Sequence, residues 1–115
     1  MTVTAARLLG AVTAAYSAAL LVKPELLAKP AGLPASSATD VLIRSIGGRD
    51  TALGLGMLFA RPGPALRSVL WARTAADLTD AVAFGATLTD RNRRLKVVAV
   101  ATTWAVLCGV TAALT

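Results

Sequence analysis

Six ionisable residues lie inside two long, otherwise apolar stretches: Arg44, Arg49 and Asp50 in the first, and Arg73, Asp77 and Asp80 in the second. Their formal charges cancel. The chain has no histidine and a single cysteine, Cys108, which excludes zinc sites of the Cys/His type, imidazole-based catalysis and an internal disulfide. Acid–base chemistry must therefore rest on carboxylates. One aspartate would accept a proton and another donate one. An arginine, charged at every accessible pH, would orient them through paired hydrogen bonds. No cofactor and no metal are expected. Gly54-Leu55-Gly56 is a packing feature and not a phosphate loop, because no strand precedes it and no GK[ST] follows. Cys108 sits in an apolar run and reads as a small buried hydrophobe.

The elements that must position these charges follow from composition. Of 115 residues, 56% are hydrophobic and 16% charged, more apolar than an ordinary soluble domain, with mean hydropathy +0.66. Aromatic residues make up only 4%, so Ala, Leu and Val carry the apolar content, which suits closely packed helices better than strands. The expected fold is all-α, an integral membrane four-helix bundle forming a single domain in the cell membrane, multi-pass. Residues 4–22 form an apolar run long enough to cross a bilayer. Pro24, Pro30 and Pro34 then preclude a continuous helix, giving an interfacial loop with room for a short amphipathic turn. A second helix over about 40–60, N-capped by Ser37 or Thr39, ends at Arg61-Pro62-Gly63-Pro64. The third covers about 65–88 and the fourth about 95–114, where Lys96 snorkels to the interface.

The net charge of +6 does not point to nucleic acid, since the basic residues lie mainly between apolar segments and no basic patch is interleaved with aromatics. The charge reads instead as topology. Lys23, Lys29, Arg91, Arg93, Arg94 and Lys96 fall in loops on one side, against Arg7, Arg61 and Arg67 on the other, which places the first group in the cytoplasm and both termini outside.

Charges at mid-bilayer each cost roughly 2.5 to 3.5 kcal/mol, so six unpaired ones would oppose insertion by on the order of 15 kcal/mol. They must pair, face water, or both. Arg73, Asp77, Asp80, Phe84 and Thr87 form one narrow helical stripe. Arg44, Gly47, Gly48, Asp50, Thr51 and Gly54 share a broader arc, with Arg49 pointing elsewhere unless Gly47-Gly48 bends the helix. Packing arc against stripe brings Arg44 or Arg49 to Asp77 or Asp80, and Arg73 to Asp50. The bundle is expected to enclose a cavity of several hundred cubic ångströms with an apolar rim, Phe84 among its walls. Tyr16 serves either as a pocket hydrogen-bonding group or as packing. Trp71 reads as an interfacial anchor, and Trp104 as either a pocket wall or a lipid-facing side chain.

The run RSIGGRDTALGLG, Arg44 to Gly56, followed by RTAADLTDA, Arg73 to Ala81, resembles a family of small four-helix membrane proteins long catalogued as a domain of unknown function. That family includes hydrolases of fungal polyether natural-product pathways that open epoxides with water. The resemblance implies that Arg44, Arg49, Asp50, Arg73, Asp77 and Asp80 form the catalytic set; Phe84 and Tyr16, from their expected places at the pocket, are the candidate substrate-binding residues. The substrate would be a lipophilic small molecule entering from the lipid bilayer. The residue types are compatible with that reaction. Hydrolysis without a covalent intermediate needs a carboxylate to activate water, a carboxylic acid to protonate the ring oxygen, and a group that keeps the two in different protonation states. Soluble limonene-epoxide hydrolase-like enzymes are similar in site logic, not in fold.

Two rival readings use the same residues. In one, the aspartates carry protons or a cationic solute across the membrane, but such carriers present a lone acid to water, whereas here each aspartate has an arginine to neutralise it. In the other, the pairs are interhelical glue in a structural subunit. One or two polar contacts would fix helix register, and three pairs exceed that need. A homo-oligomer is compatible with either reading, as with the hydrolase.

Overall fold

A computed structural model describes residues 2–34 and 36–115. The described chain is all-α, without strands, in five helices: α1 Thr2–Val22, α2 Glu25–Ala31, α3 Ser37–Phe59, α4 Pro64–Thr87 and α5 Arg91–Leu114. Four are the long helices expected. The fifth, α2, occupies the proline-rich loop. It is short because Pro30 removes a backbone donor near its end, and Gly32, at φ 71°, closes it with N–H bonds back to Ala28 and Lys29. The N-cap of α3 is Ser36, whose hydroxyl accepts from the Thr39 N–H at 3.1 Å, and not Ser37 or Thr39. α5 begins at Arg91, earlier than expected, because Asp90 caps it by accepting from the Arg93 N–H. The turn between α3 and α4 is as the sequence implies, with Gly63 at φ 108° and Pro64 opening α4.

The helices pack as two tight antiparallel pairs, α1 with α3 and α4 with α5, which meet each other more sparingly. The buried positions explain the pairing. Ala6, Gly10, Thr13, Ser17 and Leu20 of α1 recur at alternating spacings of four and three, as do Ile43, Gly47, Asp50, Gly54 and Met57 of α3. That is the seam of two helices crossing at a shallow angle. Small residues let the backbones nearly touch: a Cβ on Gly54 would stand 2.7 Å from the Ala14 nitrogen, and one on Gly47 2.8 Å from the Ser17 carbonyl oxygen. Gly47 and Gly48 do not unwind α3, which is helical throughout Ser37–Phe59. Gly47 serves close approach, and Gly48 faces open space.

This contrast yields an expected result. Gly54→Ala forces backbone apart and destabilises the protein by about 1–3 kcal/mol, whereas Gly48→Ala stabilises it by about 0.5–1 kcal/mol because alanine suits a helix interior better. Thermal unfolding of both variants in the same detergent decides it, and equal melting temperatures would refute the packing described.

One end of the bundle is filled. Ala6, Met57, Leu66, Leu70, Cys108 and Ala112 form a continuous core there, and Arg7 caps α3 beside it by donating to the Met57 and Ala60 carbonyls at 2.9 and 2.8 Å. Toward the other end the pairs separate. There α2 spans the gap, with Ala28 against Leu20 and Ile43 and Ala31 against Phe84 and Leu88.

α1 and α5 are long and apolar enough to cross a membrane. α3 and α4 have 23 and 24 residues, comparable in length, but the charges interrupt their apolar character.

Candidate functional site

The seam of α4 runs through Leu66, Leu70, Arg73, Asp77 and Phe84, so the periodicity that buries leucines near its start buries charges one turn later. On α3 the same logic places Asp50 between the close-packed Gly47 and Gly54, where its carboxyl is turned toward α4 and is only 7% exposed. Charges at seam positions cannot escape to the surface without unpacking the helix.

They form an alternating chain. Arg49 holds Asp80 through two parallel hydrogen bonds, Nη1 to Oδ1 at 3.1 Å and Nη2 to Oδ2 at 2.7 Å, and its Nε donates to Asp50 Oδ1 at 2.8 Å. Arg73 then bridges two carboxyls, with Nη1 2.8 Å from Asp50 Oδ1 and Nη2 2.9 Å from Asp77 Oδ1. The order is Asp80, Arg49, Asp50, Arg73, Asp77. Arg49 reaches this line with α3 uninterrupted, because its long side chain extends to Asp80 of α4. The expected pairs Arg73 with Asp50 and Arg49 with Asp80 are thus brought together. Arg44 is not: it lies on the exposed face of α3, outside the chain. Thr87 also faces outward and bonds to its own helix at the Ala83 carbonyl.

Two features of the line bear on chemistry. Three carboxyls face two guanidiniums, so a single proton brings the cluster to neutrality. In addition, Asp77 Oδ2 and the Nε and Nη1 of Arg73 are buried without a hydrogen-bond partner. The Arg73 Nη1 contact to Asp50 is a close ion pair that lacks hydrogen-bond alignment. Buried polar atoms are ordinarily satisfied, and these three, on residues of the cluster itself, are exceptions to that rule.

The cavity is present. About 470 Å³ lies between the two helix pairs, with Asp50, Arg73, Asp77 and Asp80 on its wall. The rest of the lining is mostly apolar and comes from all five helices: Leu20 of α1, Leu27 of α2, Ile46 of α3, Phe84 of α4 and Val100 of α5 are representative. Phe84 is buried, and Tyr16, half-exposed, stands at the edge.

Comparison with family models, with curated proteins and with solved structures finds no match.

The site is broader than the two middle helices. Thr13 and Ser17 of α1 line the cavity, and Thr13 accepts a hydrogen bond from Trp104 Nε1 at 2.9 Å, tying α1 to α5. Trp104 therefore belongs to the pocket wall, while Trp71 is exposed. Thr13 and Ser17 were legible as polar members of the α1 repeat Ala6, Gly10, Thr13, Ser17, Leu20, a signal easily taken for ordinary helix packing. Among the described residues no group of acidic, histidine or cysteine side chains is placed to hold a metal ion.

Proposed function

We propose that the protein is a membrane-embedded hydrolase that opens a lipophilic epoxide, or a similar electrophile, by adding water. The observation that carries this reading is an Asp50–Arg73–Asp77 set with unpartnered buried atoms on the wall of an otherwise apolar cavity. An apolar pocket with a few convergent polar groups suits a lipophilic ligand. The charge set suits acid–base work without histidine.

Embedding with four spanning helices is part of the proposal. Only 28% and 22% of the apolar windows of α1 and α5 are buried, which supports contact of both helices with lipid. Large apolar side chains such as Leu8, Val41, Phe59, Val82 and Val110 face outward while Arg49, Asp50, Arg73, Asp77 and Asp80 turn in, with Arg44 alone of the six left on the exposed face. A surface of that kind belongs in lipid.

Asp50, ionised between two arginines that both take Oδ1, is the base, and its Oδ2 receives a proton from water. The water oxygen bonds to a ring carbon as the ring C–O bond breaks. Asp77 carries the cluster's single proton and delivers it from Oδ2 to the departing ring oxygen. Proton return from Asp50 to Asp77 through solvent resets the site, and the sum is one water added to give a vicinal diol. Arg73 holds both carboxyls, and Arg49, which contacts Asp50 and not Asp77, favours the ionised form of Asp50 over that of Asp77.

The test uses the purified protein in nanodiscs with 1,2-epoxydecane, styrene oxide and cyclohexene oxide in oxygen-18 water. Diol bearing the label already in a single turnover is expected. An unlabelled first turnover would indicate an aspartyl ester and overturn the direct-water mechanism, and no diol above the protein-free background would overturn the hydrolase reading.

A structural role has one observation in its favour: α3 and α4 approach each other far less than the paired helices do, so the ion pairs are a principal tie between them. The cavity beside those pairs favours chemistry, because glue alone works best in a solid interface.

A further inference from the structure

Lys96 lines the same cavity. It is exposed on its outer side, and among the described residues no carboxylate pairs with it. Its position relative to the aspartates follows from the register of α4 against α5. Gly85 faces Val98 and Gly109 faces Thr74, an antiparallel alignment that sets Lys96 level with Thr87. Thr87 lies ten residues beyond Asp77, which is roughly 15 Å along a helix. Asp80 lies one turn from Asp77 on this path, and between Asp80 and the level of Lys96 the lining contributed by α4 and α5 is apolar, with Phe84, Val97 and Val100 in the intervening turns.

The cavity is therefore polarised. Its deep end holds three carboxyls against two guanidiniums, and its mouth holds an unpaired ammonium, with Lys29 next to the lining residue Pro30. An anionic group is attracted to the mouth and finds at the deep end only guanidiniums already paired with carboxyls, while the apolar stretch between accepts an alkyl chain. α2 covers this mouth and is tied to α5 by Arg93, which donates to the Lys29 carbonyl.

We propose that the cavity takes an amphipathic substrate with an anionic end: a carboxylate, or an anion of similar charge, at Lys96, and the reacting carbon beside Asp77. The separation corresponds to a chain of about a dozen carbons at ordinary bond geometry. The position of the reacting carbon rests on the hydrolase reading, whereas the seating of the anion at Lys96 does not.

The experiment reads binding alone. The chain has two tryptophans, so Trp71→Phe leaves Trp104, in the cavity wall, as the sole reporter. Quenching of its fluorescence by 12-bromododecanoate, by the 2-bromo isomer and by the methyl ester of the 12-bromo acid is measured in nanodiscs of zwitterionic lipid. The 12-bromo acid is expected to bind tighter than its ester and to quench more than the 2-bromo isomer, because the chain end lies deep. Lys96→Gln should weaken the acid by about tenfold, the change for one partly desolvated ion pair, with the ester unaffected and Lys96→Arg restoring the preference. Equal binding of acid and ester, stronger quenching by the 2-bromo isomer, or indifference to Lys96→Gln would each overturn the proposal. So would loss of the acid's preference in phosphatidylglycerol nanodiscs, which would assign Lys96 to a lipid headgroup. Since no turnover is measured, loss of the hydrolase reading and loss of anion seating are separable.

Discussion

Asp77→Asn is expected to lower epoxide turnover by about 100- to 10,000-fold, the span over which a positioned general acid contributes, while the protein stays folded. The variant keeps the shape of the side chain and removes only its capacity to deliver a proton. Asp77 ends the charge chain with one contact, to Arg73, and a buried, unpartnered Oδ2, so replacing its protonated carboxyl with a neutral amide exposes no new charge. Asp50→Asn should cost as much activity and also destabilise, because both arginines depend on that carboxyl. Asp80→Asn, at the far end and held only by Arg49, should cost about tenfold or less. Turnover and thermal unfolding measured on the same preparations decide between readings. Asp77→Asn that is folded and fully active removes Asp77 from the mechanism. Asp77→Asn that unfolds points to interhelical glue.

Arg73→Gln destabilises by about 3–5 kcal/mol, because it strands Asp77 and leaves Asp50 with Arg49 alone, and these carboxyls are 4% and 7% exposed. Arg49→Gln should cost no more than about 1–2 kcal/mol, since Arg49 is 35% exposed and solvent screens what it leaves behind. Chemical or thermal unfolding in one detergent gives both numbers. A double-mutant cycle between Arg49 and Asp80 isolates their pair from the rest of the chain. If both arginines prove equally dispensable, the chain of charges does not hold the middle of the bundle. If Arg49 proves the more costly, its bidentate grip on Asp80 is the structural link and Arg73 is free for catalysis.

The two results are linked through Arg73, which contacts both carboxyls. A site built this way gives up stability for function: replacing the ion pairs with leucines would pack the seam and remove the cavity.

The sequence by itself determined the helices, their stops at Arg61–Pro64, and the stripe that turns Arg73, Asp77 and Asp80 to one side, because each is a matter of helical period or of a residue that breaks a helix. It also contained the requirement that the charges pair, which follows from the cost of leaving them in an apolar interior. Tertiary structure decided the rest. Periodicity could not choose Arg49 over Arg44, since the outcome depends on how a long side chain wraps around a helix and not on where its Cα lies. Nor could it show that α1 pairs with α3 and α4 with α5, which rests on glycine contacts at Gly10, Gly47 and Gly54 that are complementary only when two backbones meet. From that pairing come the gap between the pairs, the seat of α2 across it, and the entry of Thr13, Lys96 and Trp104 into the cavity. A cavity is a property of elements that fail to touch, and no single helix encodes where its neighbours leave space.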